Sequence, residues 1–146
     1  MSEQRKKPGT RREAREATIQ FLFSHDLNDE NLPDQSSEFW ELRTARPKVR
    51  DFAKKLIAGI FEHLEEIDQT IEEASKNYTL KQLTPVDRCL LRLATYEIFY
   101  RDDIPPAVTI NEAIEIAKRF GSTESSGFIN GVIDRIEKEH RKNQTS

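Results

Sequence analysis

The chain has 146 residues, enough for one domain with a real core, and its 36% apolar and 34% charged residues suit a soluble helix-rich protein. A single cysteine, Cys89, excludes an internal disulfide and cysteine-paired zinc, and no run approaches the ~18 apolar residues of a bilayer span, so a reducing cytoplasm is expected. The formal charge is −3, yet residues 1–15 carry six Lys/Arg against two Glu and leave the remainder at −7, an asymmetry that points to an anionic ligand or partner.

Residues 1–9 are polar and basic and read as a disordered tail, without the apolar segment of a secretory signal. Thr10 and Glu13 have the spacing of a capping box, which predicts a helix to about Leu27. NDENLPDQ (28–35) is a loop, and SSEFWELRT (36–44) is a short second helix. Pro47 suits a first helical position. From there apolar residues recur at three- and four-residue steps as far as Tyr78, too long for one globular helix, so a break is expected near Ile67–Asp68. Thr84-Pro85-Val86-Asp87 supplies a cap, a first-turn proline and an acidic third position for a helix to about Tyr100. IPPAV is a rigid connector. Thr109 and Glu112 spell a second capping box, and Gly121 ends the helix that they open. A last helix runs from about Thr123 to about His140, followed by a polar tail, 141–146. No period-2 strand pattern appears. The expectation is a single all-α domain over 10–140, six or seven helices in a compact bundle.

Catalytic and metal-binding patterns are missing. His25, His63 and His140 have no ligand spacing among them, and no Gly-rich phosphate loop, GxSxG or paired-carboxylate motif occurs. Cys89 lies on an apolar helix face and reads as a small buried hydrophobe. No cofactor is expected, and the protein reads as a non-enzyme. Glu97 points into the middle of the apolar arc of Val86, Leu90, Leu93 and Ala94, where a carboxylate must be hydrogen-bonded; a structural role is expected, capping a neighbouring helix.

Two helices carry side chains beyond what a core needs. On the first, Arg11, Arg12 and Arg15 fall within about 100° of one another beside the stripe of Ala14, Ala17, Thr18 and Phe21, and Ile19 and Phe23 project on the side of Arg12. Cations interleaved with an aromatic suit single-stranded nucleic acid, whose phosphates need charge and whose unstacked bases need flat faces. A solvated charged face with Phe23 as a second core contact is the competing view, and this helix alone does not decide between them. On the last helix Phe128 lies off the stripe of Ile129, Val132, Ile133 and Ile136, near Glu124 and Arg135. Gly127 and Gly131 would allow a close approach by a neighbour or ligand. Together these features favour a binder.

RREAREATIQFLF, VDRCLLRLATYEIFYRDDIPPAVTINEAIEIAKRFGS and GFINGVIDRI, in that order, resemble the NusB family of bacterial transcription antitermination factors. The similarity runs from about Arg11 to Ile136, with 28–80 only loosely patterned. The resemblance implies an all-α fold of two packed small helical bundles and a non-catalytic factor. Such a factor binds boxA, a single-stranded RNA element of ribosomal RNA leader transcripts, jointly with NusE, a protein of the small ribosomal subunit. It helps RNA polymerase pass terminators. On this resemblance Arg11, Arg12, Arg15, Glu124 and Phe128 are RNA-binding positions, while Phe23 and Asp87 face NusE. Two positions depart from the family pattern: Glu13 stands where a further arginine can occur, and Phe23 where tyrosine is frequent. The N-terminal domain of ribosomal RNA cytosine methyltransferases shares this look, and a purely protein-binding helical adaptor is a third alternative.

Overall fold

The computed structural model describes residues 9–27 and 35–145, so most of the basic tail and all but the last residue of the 28–35 loop lie outside the described residues. Among the described residues seven α-helices follow in order: α1 Thr10–Leu27, α2 Gln35–Leu42, α3 Pro47–Glu62, α4 Leu64–Ser75, α5 Pro85–Tyr100, α6 Pro106–Phe120 and α7 Ser125–Thr145, with a 3₁₀ turn at Leu80–Gln82. No strand occurs among the described residues, and no helix is long and apolar enough to cross a membrane.

Two apolar cores organise the helices. Ala14, Ala17, Phe21, Trp40, Val49, Ala53 and Ile57 pack α1, α2 and α3 together. The larger core gathers residues of α4 to α7 and takes in Ile19 and Leu22 of α1 and Leu56 and Ile60 of α3. α1 therefore serves both bundles. Residues 14 to 19 of α1 are all buried, so the middle of this helix has little solvent-facing surface. Where α3 crosses α5, Gly59 is required by proximity, since a methyl group there would overlap the ring of Tyr96.

Local chemistry sets most boundaries as expected. Pro47 opens α3, and Thr84 Oγ1 accepts the amide of Asp87 at 3.2 Å to cap α5. Four expectations need correction. The break in the long periodic segment falls at His63, with φ −116° and ψ 21°, not at Ile67–Asp68. The His63 ring is stacked on Tyr100, centroids 3.8 Å apart, and Tyr100 donates its hydroxyl to Glu66, so this corner is pinned to α5. One non-helical residue leaves the apolar faces of α3 and α4 directed at the same core, which is why the periodicity runs through it. Next, α6 starts at Pro106, three residues before Thr109, so Thr109 and Glu112 form no capping box and their side chains are used elsewhere. Likewise Thr10 already lies inside α1, and the carboxylate of Glu13 pairs with Arg46 at 3.2 Å. At the other end of the chain, α7 continues to Thr145, beyond His140.

Candidate nucleic-acid interface

The three arginines of α1 meet three different environments. Arg11 is about half exposed. Arg12 is partly exposed and forks onto Glu112 of α6, with Nε donating at 3.0 Å and Nη2 to the second oxygen. That fork holds the Glu112 carboxyl below the usual carboxylate range.

Arg15 is a correction: it is 2% exposed and cannot reach an RNA phosphate. Its Nε and Nη2 donate to the two oxygens of Glu97 at 2.7 and 2.9 Å, and Nη1 lies 3.7 Å from Glu112. Glu97, 1% exposed, also accepts the hydroxyl of Thr109 at 2.8 Å. Glu97 thus has the structural role expected of it, but through a side-chain network joining α1, α5 and α6. The helical wheel placed Arg15 beside Arg11 correctly; what it could not register is that α5 and α6 cover this side of α1 after one turn.

One turn further, the buried carboxylate of Glu16 pairs with Arg119 of α6. Glu16 then lines an apolar cleft of about 330 Å³ with Ile19, Gln20, Phe23, Val86 and Phe120. Ile19 is 4% exposed and belongs to the core, whereas half-buried Phe23 opens into this cleft. Phe120, 41% exposed, adds an aromatic the sequence did not single out, and the Arg119 guanidinium lies over its ring at 5.1 Å.

Val86 has Asp87 as its neighbour, and Asp87 turns into a second cleft of about 200 Å³, whose lining includes Tyr78, Ser122, Glu124, Ser125 and Phe128. Three residues singled out separately, Asp87, Glu124 and Phe128, are therefore brought together. Phe128 meets Tyr78 edge to face, centroids 5.7 Å apart. Asp87 is 7% exposed, and its buried Oδ1 has no hydrogen-bond partner. Glu124 is exposed. Arg11 and Arg12 line neither cleft. The link runs along α1 and α6, from Arg12–Glu112 through Glu16–Arg119 to the Phe23 cleft, and from Val86 to the Phe128 cleft.

Among the described residues no group of three His, Cys, Asp or Glu could hold a metal. Cys89 is fully buried, and burial pushes its thiol up to about 12. No neighbour uses the close approach that Gly127 and Gly131 allow: a methyl group at either would meet open space.

The NusB family model matches residues 12–138. A transcription antitermination protein NusB of Trichlorobacter lovleyi is 44% identical over 129 residues, covering 88% of this chain and 91% of the relative. Among solved structures, NusB of T. maritima is similar with a TM-score of 0.81 at 45% identity, covering 92% of this chain and 94% of that one. A structure of the antitermination factors NusB and NusE in complex with dsRNA matches with a TM-score of 0.80 at 27% identity, covering 89% and 97%.

Proposed function

The chain belongs to the NusB family of transcription antitermination proteins, and from that membership we propose that it is a non-catalytic cytoplasmic factor that binds single-stranded boxA RNA jointly with NusE. Through that pair it would reach the antitermination complex of RNA polymerase. The observation that carries the reading is the convergence of Asp87, Glu124 and Phe128 on one cleft beside the Phe23 cleft. The complex of a structural relative with NusE and dsRNA supports both classes of partner.

The division of labour follows from chemistry. Arg11 and Arg12 supply charge for phosphates. Phe128 supplies an aromatic face for an unstacked base, and carboxylates beside it repel phosphate but accept exocyclic amines, so Glu124 reads a base edge. Phe23, lacking a tyrosine hydroxyl, makes an apolar contact with NusE, and Asp87 faces the same partner. Arg15 supports the site from the interior. Fluorescence anisotropy with labelled boxA-like and scrambled RNA, measured with this chain, with NusE and with both, tests the reading. The pair should bind boxA-like RNA more tightly than either protein alone and more tightly than it binds the scrambled strand. Equal binding of both RNAs would remove boxA from the account, and no gain from NusE would remove the joint site.

A further inference from the structure

A second arginine that the sequence did not single out meets the start of α1. Arg101 is the C-cap of α5, and Arg11 lies in the first turn of α1. The guanidinium carbons of both lie over the ring of Phe52 on α3, 4.9 and 5.2 Å from its centroid, so each is braced by a cation–π contact. Both also meet one carboxylate. Arg101 forks onto Asp103 with two bonds of 2.9 Å, and Arg11 lies 3.9 Å from the same group. Asp103 belongs to the short turn between α5 and α6 and is about half exposed. Two guanidiniums braced on one ring and converging on one oxyanion suit a phosphate group, whose oxygens pair with the planar Arg fork.

We propose that Arg11, Phe52 and Arg101 form a clamp for one phosphate of the RNA backbone, and that Asp103 is the internal anion that this phosphate displaces. The clamp rests on the RNA-binding reading above and extends the surface from α1 to the α5–α6 turn. Because Asp103 competes for phosphate and reads no base, it lowers affinity for every RNA alike and leaves sequence preference untouched.

The test is anisotropy across a salt series, with NusE present and with labelled boxA-like and scrambled RNA as probes. Arg101→Gln should flatten the slope of log K against log salt by about 0.7 and weaken binding about fivefold near 0.1 M salt, the counterion-release value for one single-strand phosphate. Asp103→Asn should tighten binding to both RNAs by the same factor, a gain that misfolding cannot produce. An unchanged slope in Arg101→Gln, or unchanged or weaker binding in Asp103→Asn, overturns the clamp. Arg12→Ala, run in parallel, separates the two levels. If it weakens binding while the other two variants behave as wild type, the clamp is wrong and the RNA-binding reading stands. If the wild-type pair binds neither RNA, both fall.

Discussion

Substituting Arg15 by Met separates a buried strut from an RNA contact. Arg15 and Glu97 are 2% and 1% exposed and share a two-bond fork, with Thr109 as the other donor to Glu97. Methionine keeps much of the volume but leaves the Glu97 carboxylate with a single neutral donor. Breaking a buried pair from one side costs about 3–5 kcal/mol. With an unfolding entropy near 2.1 cal/mol/K per residue, a chain of this length should lose roughly 10–16 °C in melting temperature. Glu97→Leu should cost a similar amount, because it strands the guanidinium with only Glu112 near it. The double variant Arg15→Met/Glu97→Leu should recover most of the loss, since no buried charge is left unpaired. Thermal unfolding followed by far-UV circular dichroism reads all three. Below its melting point, folded Arg15→Met should keep the wild-type salt slope for RNA. A melting temperature within a degree or two of wild type, together with a flattened salt slope, would refute the reasoning and restore Arg15 to the RNA surface.

Gly59→Ala should destabilise by about 1–3 kcal/mol in urea titration, the usual range for overpacking, because the added methyl overlaps the Tyr96 ring. Gly131→Ala should instead stabilise by up to about 1 kcal/mol, since it removes a glycine from the interior of α7 with space around it; a loss of stability would show a contact at that position. The Glu112 carboxyl, lowered by its fork with Arg12, contributes stability that is whole above the ordinary value of 4.5 and is lost as pH falls through its depressed folded value. The pair is partly exposed, so the wild-type advantage over Glu112→Gln should be no more than about 1 kcal/mol at neutral pH and should vanish in acid, as measured by urea unfolding at both ends.

The helices were largely legible in the sequence because period, proline position and caps are local signals. Thr84 capping α5 is an example. Local signals also misled where a residue had a better long-range partner. Thr109 and Glu112 have the spacing of a cap, yet Pro106 had already begun the helix, and the two side chains serve Glu97 and Arg12 across the bundle. A wheel gives the direction of Arg15 but not the cover laid over it by α5 and α6. The cleft that unites Asp87 with Glu124 and Phe128 spans α5 and α7, and no spacing along the chain could announce it. The pairing of Phe52 with Arg101 is hidden for the same reason. Each looks ordinary alone, and they become a pair only where α3 and the end of α5 meet the first turn of α1.

The central claim is that the first turn of α1 supplies charge while the Phe128 cleft receives a base, and the salt dependence of RNA binding by Arg12→Ala and Phe128→Ala tests it most directly. With NusE present, Arg12→Ala should weaken binding to boxA-like and scrambled RNA alike and flatten the slope by about 0.7. Phe128→Ala should cost about 1–3 kcal/mol, the scale of a lost base stack, with the slope nearly unchanged. Wild-type affinity in Phe128→Ala, or a flattened slope there and none in Arg12→Ala, would contradict the account.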